Sequence, residues 1–512
     1  MQFKIMEHID NFLNKITMYR LVLYVLVLMV LVGFLFSLLG ILPYEPVLFL
    51  AGVTFIISIS LIFNELFSFI FKAPTNVESV YITALILVLI ITPIKDIGDI
   101  SYWMFLFWAA VLSVASKYIF AIGKKHIFNP AAFAVAITAL TINQYASWWI
   151  GTLIMAPFVI VGGLLVVRKI RRFDMVISFI LVALAFIVGT RAFDFSSGLN
   201  IIYQTLFYTP ILFFAFIMFT EPLTTPPQKS LRMLYGAFTG FLFSPLVHIG
   251  SLFFTPELSL LGANIFSYIV SPKQKLILKL KERKEVAQDT YDFVFENPNP
   301  FNFRPGKYME WTLDHDKIDS RGNRRYFTVA SSPTEKELRL GIKFYPNGSS
   351  FKKQLLSMNE NDVIVASQIA GDFTLPNKKN KKLVFIAGGI GITPFRSMIK
   401  YLMDKKEKRD IVLLYSNRTP ADVTYKNLLD QAIKELGIKV IYTVTDKIPP
   451  GIWQGKTGYI DNKMITQEIP DYKERYFYLS GTHGMVSTFD NVLQEMGIHK
   501  SHIKKDFFPG FA

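Results

Sequence analysis

The chain has 512 residues, is 52% hydrophobic, and carries 54 Lys and Arg against 39 Asp and Glu, a net charge of +15. This length allows two or three domains, but a mean hydropathy of +0.36 is too apolar for a single soluble domain. The sequence contains no cysteine, which excludes disulfides, cysteine-ligated zinc and cysteine-ligated iron–sulfur clusters. An Arg-rich helix, a zinc-ligand spacing and an aromatic RNA-binding motif are also missing, so we expect no nucleic-acid partner.

The charged residues are concentrated in the second half of the chain. Residues 1–270 hold 15 basic and 11 acidic residues, whereas residues 271–512 hold 39 basic and 28 acidic ones. We therefore predict a membrane domain over residues 1–270, followed by soluble domains over residues 273–378 and 379–512. A positive soluble part that lies beside anionic lipid accounts for the net charge.

Ten apolar segments of the first part are predicted to be membrane helices, because a helix needs about 20 mostly apolar residues to cross a bilayer. The segments are 19–42, 46–70, 78–93, 100–120, 130–142, 147–167, 174–190, 199–219, 232–247 and 257–270. With the N-terminus inside, the inner segments contain thirteen Lys and Arg, whereas the outer loops contain only Lys95 and Arg191. By the positive-inside rule, this multi-pass domain has both termini on the cytoplasmic side of a bacterial-type cell membrane.

Short or proline-interrupted segments recur five spans apart. Asn129-Pro130 opens the fifth span and residues 257–264 open the tenth, while the third span ends at Pro93 and the eighth at Glu221-Pro222. Because five is odd, the paired spans run in opposite directions, which is typical of an inverted repeat whose interrupted helices meet near the midplane. The alternative interpretation is two ordinary short helices and two helices that end at proline.

Three motifs in this part carry a family resemblance. They are Lys125-His-Ile-Phe-Asn-Pro-Ala-Ala-Phe133, Met218-Phe-Thr-Glu-Pro-Leu-Thr-Thr-Pro226 and Arg232-Met-Leu-Tyr-Gly236. Residues 20–270 resemble the B subunit of the sodium-translocating NADH:quinone reductase and the D subunit of the Rnf complex. The resemblance implies a ten-helix inverted-repeat fold that holds flavin, with electron transfer coupled to ions. The family's flavinylated threonine is missing from residues 196–200, so we expect a non-covalent flavin, FMN or riboflavin.

The candidates to line this flavin are polar or proline residues at the helix interruptions. They are Asn129, Pro130, Thr220, Glu221 and Asn264. Each has a structural alternative, because Asn and Pro at a helix break satisfy freed backbone groups without binding a ligand. Acidic residues inside spans are expensive, so Glu65 and Glu221 are candidates for an ion or proton path, although Glu221 also fits the inner headgroup region.

From Lys273 the sequence changes to short alternating segments, which predict an antiparallel β-barrel. After Lys382 it changes again to buried strands alternating with amphipathic helices, which predicts a parallel α/β nucleotide-binding domain. The predicted fold is therefore a multi-pass α-helical membrane domain fused to a barrel and an α/β domain.

Two segments of the barrel predict a flavin site. In the first, Arg325 suits a phosphate, Phe327 suits stacking on a ring, and Thr328 offers a hydroxyl to the ring edge. The second segment contains Gly348, Ser349 and Ser350 and opens a helix whose free N–H groups suit a pyrophosphate. Each segment alone is weak evidence, but their order and spacing together are informative.

Two loops of the α/β domain predict a nicotinamide nucleotide site. The residues of the first loop are Gly388, Gly389, Gly391, Thr393 and Pro394, where glycines allow close approach and Thr393 is predicted to cap the following helix. The residues of the second loop are Gly481, Thr482 and Met485, which are placed to close over the nicotinamide.

Residues 273–512 resemble the ferredoxin–NADP reductase family in these motifs and in the segment 371–376. The resemblance implies FAD and either NADH or NADPH. Many members have a cysteine near the nicotinamide, whereas this chain reads Ser480-Gly-Thr-His483, which puts the rate of hydride transfer in doubt rather than the function. Phe511 is a candidate to cover the flavin ring, with a tail packed on the barrel as the alternative.

Two residues bear on the choice of nucleotide. Arg418 after the second strand suits the 2′-phosphate of NADPH, whereas Asp446 after the third favours NADH, and we favour NADH. The sequence names no catalytic acid or base and no metal site.

The predicted function is a membrane-bound NAD(P)H oxidoreductase that passes electrons through FAD to a membrane flavin. From there they go to a quinone or an extracytoplasmic redox protein, and coupling to Na⁺ or H⁺ is left open. One alternative is a haem-containing ferric reductase or an NADPH-oxidase-like enzyme, although the first part has only His8, His126 and His248 to ligate haem. The other alternative is a transporter with a regulatory reductase domain.

Overall fold

The computed structural model describes residues 9, 12–13, 16–71, 77–122, 125–191, 195–250, 252–271, 275–297, 301–315, 318–319, 323–346, 348–447, 449 and 453–508. The chain forms two compact units, Met1–Ser271 and Pro272–Ala512. We refer to them as the first unit and the second unit.

The first unit is built from helices, because its sequence consists of apolar runs separated by short polar or proline-containing segments. Its helices are α1 Met18–Leu38, α2 Pro46–Phe71, α3 Val77–Ile90, α4 Ile100–Ile119, α5 Pro130–Ile142, α6 Ala156–Ile170, α7 Phe173–Arg191, α8 Phe195–Tyr208, α9 Ile211–Phe213, α10 Lys229–Leu242 and α11 Pro256–Val270. Its strands form two hairpins, β1 Ala121–Ile122 with β2 Lys125–His126, and β3 His248–Ile249 with β4 Leu252–Phe253.

Four of the described helices, α1, α2, α4 and α7, are long and apolar enough to cross a membrane. A fifth span is possible if α8 and the segment Ile211–Met218 count as one, although they meet at an angle of 67°. α3 and α5 are apolar but shorter. Helices therefore occupy the ten predicted segments, while a membrane-crossing role for all ten stays a prediction.

Two helices of the first unit, α5 and α11, begin at prolines after a capping Asn or Thr side chain, and α2 begins similarly at Pro46 after Glu45. The Asn129 side chain caps α5 by accepting a hydrogen bond from the Ala132 N–H, and Pro130 follows at the first helical position. The Thr255 side chain caps α11 in the same way, and Pro256 follows it. Proline suits this position because it has no N–H to leave unsatisfied. These are the fifth and tenth predicted spans.

The second unit begins with an antiparallel sheet of six strands in the order β8-β7-β10-β5-β6-β9. The strands are β5 Lys275–Ala287, β6 Thr290–Glu296, β7 Tyr308–Thr312, β8 Arg324–Thr328, β9 Leu338–Lys343 and β10 Val363–Ala370, and helix α12 Ser350–Ser357 lies between β9 and β10. The Ala330 N–H just after β8 donates to the carbonyl oxygen of Arg339 in β9 at 2.9 Å, so the two edges of the sheet meet. The sheet is therefore barrel-like.

A parallel sheet of six strands follows, in the order β14-β13-β12-β11-β15-β16. Its strands are β11 Leu383–Gly388, β12 Ile411–Asn417, β13 Lys439–Val444, β14 Lys456–Thr457, β15 Tyr476–Thr482 and β16 Ile503–Phe508. Its helices are α13 Thr393–Asp404, α14 Lys426–Leu436, α15 Asn462–Glu468 and α16 His483–Glu495. The strand order reverses direction at β11, which is where ligands bind in open α/β sheets.

A buried ionic network joins the barrel to the α/β sheet. Arg396 of α13 donates to both carboxylate oxygens of Glu335 at 2.5 and 2.8 Å, and to the carbonyl oxygen of Ala330 at 2.9 Å. The Arg339 guanidinium lies 3.5 Å from Glu335 and donates to Asp292 at 2.9 Å. Because these charges are largely withdrawn from water, each depends on its partner.

A phenol and a second ion pair extend this network. Tyr425 donates to Asp292 at 3.2 Å and lies under the Arg396 guanidinium, 5.6 Å from ring centre to guanidinium carbon. Burial, and then the Asp292 carboxylate, raise the pKa of Tyr425 well above its usual value, so its hydroxyl stays a proton donor. Lys343 of the barrel donates to Asp422 after β12 at 2.5 Å. Burial opposes ionisation of Asp422, but the hydrogen bonds from Lys343 and Thr419 outweigh it and lower the pKa of this carboxyl.

Replacing Glu335 with alanine removes the carboxylate that compensates two arginines. We expect the unfolding free energy of the second unit to fall by about 3 kcal/mol, the typical cost of breaking one side of a buried pair. Urea denaturation of the purified chain, followed by proteolysis of the unfolded fraction, measures this change. Glu337→Ala is the matched control, because the Glu337–Lys281 pair at 3.0 Å is much more exposed than the buried network and its loss is expected to leave the midpoint nearly unchanged. Equal shifts in the two variants would contradict the prediction.

Candidate functional site

Arg325 and Phe327 lie on the same face of β8, as strand alternation requires. Both side chains approach Phe351 in α12: the Phe327 and Phe351 rings are 5.8 Å apart, and the Arg325 guanidinium lies 5.4 Å from the Phe351 ring centre. Arg325 also lies 3.6 Å from the Asp319 carboxylate. The structure thus brings the cation and the aromatic ring to the helix that contains the predicted phosphate turn.

The N-terminus of α12 begins with the predicted Gly/Ser turn. Ser349 is its cap and accepts a hydrogen bond from the Lys352 N–H at 3.4 Å, while Gly348 precedes it in the turn. The Ser350 N–H donates to Asp319 at 3.0 Å, so the helix end binds a carboxylate. An anion-accepting helix N-terminus beside Arg325 is a fit for the pyrophosphate of a dinucleotide.

The opposite face of β8 has an aromatic pair that the sequence did not single out. Tyr326 is half exposed, its ring lies 5.8 Å from that of Tyr308, and its hydroxyl donates to the buried Glu310 at 2.7 Å. Thr328 is buried on this face, opposite Tyr308 in the sheet register. The sequence did not show this pair, because it depends on the register between β7 and β8.

Close packing explains three of the predicted glycines. A Cβ on Gly391 would lie 2.3 Å from the Ser480 carbonyl oxygen, and Cβ atoms on Gly388 and Gly481 would lie 2.1 and 2.8 Å from the sulfur of Met485. The two predicted nucleotide loops therefore touch each other through Met485 and Ser480. Both loops follow neighbouring strands, β11 and β15, at the carboxyl edge of the sheet.

Other residues of these loops have different local roles. Gly389 has a φ of +51°, a conformation that favours glycine, and Pro394 follows the first residue of α13. The prediction that Thr393 caps α13 is wrong: Thr393 is the first residue of the helix, and its hydroxyl donates to the Ile390 carbonyl at 3.2 Å. The short helical turn Gly389–Ile392 comes directly before the helix, so Ile392 takes the capping position instead. Thr482 caps α16 by accepting a hydrogen bond from the Met485 N–H at 3.4 Å.

The two residues that bear on nucleotide choice are paired with each other. Arg418 is exposed after β12, and its guanidinium lies 3.7 Å from the Asp446 carboxylate after β13. The backbones also join, since the Asp446 N–H donates to the Arg418 carbonyl at 3.0 Å. The candidate Phe511 lies outside the described residues.

In the first unit, three of the five flavin candidates, Asn129, Glu221 and Asn264, are linked by hydrogen bonds. Asn129 donates from its side chain to Glu221 at 3.0 Å and from its backbone to the side-chain oxygen of Asn264 at 2.8 Å. Asn264 donates in turn to the Tyr235 hydroxyl at 3.1 Å, and His126 lies 2.8 Å from Glu221. These contacts join α5, α11 and the end of the π-helical segment 214–218. Their amide groups are satisfied within the protein, which agrees with a structural role at the helix breaks.

Comparison with known proteins separates the two units. Residues 277–374 match the oxidoreductase FAD-binding domain family, and residues 385–491 match the oxidoreductase NAD-binding domain family. The second unit is a ferredoxin–NADP reductase-type FAD- and NAD-binding module. The second unit thus has the FAD- and NAD-binding domains of NAD(P)H-dependent flavin oxidoreductases, which confirms the predicted enzyme class and the predicted FAD and nicotinamide nucleotide domains.

Individual relatives are reductases of several kinds. The chain is 25% identical over 232 residues to the glycine betaine monooxygenase reductase subunit of Chromohalobacter salexigens, which covers 44% of this chain and 62% of that protein. It is 26% identical to NADH-cytochrome b5 reductase 2 of Lodderomyces elongisporus, covering 45% of this chain and 83% of that protein. The solved cytochrome b5 reductase domain of Ulva prolifera nitrate reductase aligns with 46% of this chain and 98% of that chain, at 23% identity and a TM-score of 0.41. The chain spans less than two thirds of the first of these relatives, and the resemblance of residues 1–270 stays a prediction.

Gly391→Ala is expected to reduce NADH oxidation at least about tenfold, because a backbone shift that relieves the clash with Ser480 displaces both nucleotide loops and costs about 1.4 kcal/mol or more. Steady-state NADH:ferricyanide kinetics of the purified chain measure the loss. Gly189→Ala, in open space on α7, is the control that should retain the parental rate. A Gly391→Ala variant with parental kinetics would show that this contact does not shape the site.

Proposed function

We propose that this chain is a membrane-bound NADH oxidoreductase that delivers electrons from its second unit to an acceptor site in its first unit. The observation that carries the proposal is the fusion, in one chain without cysteine, of an FAD- and NAD-binding module to a unit of apolar helices. Without cysteine-ligated clusters, the onward carrier is a flavin, a haem or a quinone. We infer a non-covalent flavin, followed by a quinone or an extracytoplasmic redox protein.

FAD, when bound, supplies hydride acceptance and the release of single electrons. The residues of the second unit that fit it are Arg325 and the α12 N-terminus for the pyrophosphate, and Phe327 for the ring. Thr328 lies on the other face of β8, so its contact with the ring edge stays a prediction. The loops at Gly388–Gly391 and Gly481–Met485 fit the nicotinamide nucleotide, with Met485 packed between them. The role of these loops is to hold the nicotinamide ring against the flavin ring and to exclude water.

The membrane location is supported by the four long apolar helices and by the charge asymmetry of the loops. We infer that residues 1–270 cross a bacterial-type cell membrane ten times as an inverted repeat, with both termini in the cytoplasm. The paired helix starts at Asn129-Pro130 and Thr255-Pro256 support this arrangement. Glu221 and the Asn129–Asn264 contact lie at the helix breaks, where the resemblance places flavin. Coupling to Na⁺ or H⁺ belongs to this proposal.

The haem alternative is less well supported by the histidines that the structure describes in the first unit. His126 is engaged with Glu221, and the ring of His248 lies on a hairpin and contacts the Gly250 carbonyl at 2.9 Å. Among the described residues, no cluster of three or more His, Cys, Asp or Glu is placed to hold a metal ion. These histidines have protein partners, whereas haem ligation needs their ring nitrogens.

Purified chain in sealed lipid vesicles tests the proposal. We expect NADH to reduce a membrane quinone as well as ferricyanide, and we expect an ionophore for Na⁺ or H⁺ to change the quinone rate if transfer is coupled to that ion. Arg325→Ala should lose bound FAD and both activities, because a charged phosphate contact is removed. Arg283→Ala, an exposed arginine of β5, is the matched control that should retain both. Ferricyanide reduction without quinone reduction would limit the first unit to an anchor.

Nucleotide choice gives a separate prediction. Asp446→Asn removes the carboxylate that pairs with Arg418 and leaves this cation to bind a 2′-phosphate. We expect the ratio of kcat/KM for NADPH to that for NADH to rise about tenfold, which corresponds to about 1.4 kcal/mol. Initial rates with both nucleotides measure the ratio, and Arg418→Ala in the same background should reverse the gain. An unchanged ratio in Asp446→Asn would place the 2′ position elsewhere.

A further inference from the structure

Glu257 is a buried carboxylate in the first turn of α11. Only 2% of its surface is exposed. The Trp148 indole N–H donates to one carboxylate oxygen at 3.3 Å, and the Thr255 hydroxyl is its other side-chain partner. Neither partner carries a charge, so among the residues that the structure describes a negative charge on Glu257 is compensated by one indole, one hydroxyl and the helix N-terminus.

Glu221 gives the contrast within the same unit. Its two carboxylate oxygens contact His126 at 2.8 Å and Asn129 at 3.0 Å, and its side chain is 22% exposed. An ionised carboxylate that is removed from water without a cationic partner costs several kcal/mol, and such a group takes up a proton instead. Glu221 therefore has two polar side-chain partners and some access to water, whereas Glu257 is buried with uncharged side-chain partners.

The elements packed around α11 supply no cation to Glu257 within the described residues. α5 contains no charged residue, and those of α10 are Lys229 and Arg232, near its N-terminus, where Arg232 pairs with Asp174 at 2.7 Å. His248, on the hairpin between α10 and α11, contacts the Gly250 carbonyl through Nδ1. Glu257 is therefore the uncompensated buried acid of this region.

Contacts connect Glu257 to the rest of the first unit. The backbone N–H of Trp148 donates to the Ile90 carbonyl at 2.7 Å, and the Trp148 ring lies 6.3 Å from the Phe214 ring in the π-helical segment. Along α11, Asn264 lies two turns beyond Glu257 and bonds to Asn129. A change of charge at Glu257 therefore acts on α11, the helix whose Asn264 bonds to Asn129 at the start of α5.

We propose that Glu257 is a reversible proton-binding site of the first unit: it holds a proton in the resting chain and exchanges it with water on the side where α11 begins. The ligand is a proton rather than a metal cation. Its meaning for ion coupling rests on the proposed function, which places the start of α11 at the extracytoplasmic face. The exchange is a simple dissociation, in which the carboxylic acid gives a proton to water and becomes a carboxylate.

Dicyclohexylcarbodiimide tests the proposal, because it modifies protonated carboxylic acids in apolar surroundings. The full chain in lipid vesicles is treated across a range of pH, and adducts are located by mass spectrometry of its peptides. We expect an adduct at Glu257 at neutral pH that declines as the pH is raised, and none at Glu221. Glu257→Gln, which retains a side-chain oxygen for Trp148, should lose this adduct while flavin content and NADH:ferricyanide activity remain.

Glu65, an exposed acid on α2, shows in the same sample that the reagent has reached the helices. An adduct at Glu65 without one at Glu257 at mildly acidic pH contradicts the proposal. An adduct at Glu257 that Na⁺ suppresses at constant pH also contradicts it, because the site then binds a metal cation. This readout does not depend on quinone reduction, so failure of the proposed function and failure of this proposal are separate results.

Discussion

The contact between Arg396 and Glu335 is the interaction on which the second unit depends. Glu335 lies just before β9 in the barrel, and Arg396 lies in the first turn of the helix that follows the nucleotide loop. The two guanidinium bonds therefore fix the helix that follows Gly391 relative to the strands next to Thr328. Hydride transfer needs two rings held in contact, and small displacements of distant supports are costly to such a reaction. The ionic network therefore contributes to function by holding the helix and the barrel strands in a fixed relative position.

Surrounding contacts reinforce this arrangement. Arg339 and Asp292 continue the network across the barrel, and Tyr425 returns it to the α/β sheet. Lys343 and Asp422 join the same two parts independently. Because buried charges without partners are strongly destabilising, the barrel and the sheet are held in one relative position by polar contacts as well as by apolar packing.

In the first unit, polar side chains are buried among apolar helices, where they need hydrogen-bond partners. The Asn129 N–H at the start of α5 donates to the side-chain oxygen of Asn264 in the middle of α11, and Glu221 contacts His126. Groups of this kind are expensive in an apolar environment and are usually retained for a purpose.

Much of this architecture could be predicted from local sequence. Apolar length and the Asn129-Pro130 start predicted the helices, and the glycines at 388 and 391 predicted a close turn, because each signal lies within a few residues. The pairing of Arg396 with Glu335 and of Asn129 with Asn264 could not be predicted, since 61 and 135 residues separate the partners. Thr393 was misread for a related reason: the turn at Gly389–Ile392 shifts the start of the helix, and no local pattern showed it.

The central claim is that electrons from the nicotinamide nucleotide pass through FAD to a second flavin within one chain. Its most direct test is the absorption spectrum of the purified chain together with the flavin released by acid. The account predicts flavin bands, two flavins released per chain, no Soret band, and no flavin retained on the denatured protein. One flavin per chain, or a strong Soret band, would contradict it.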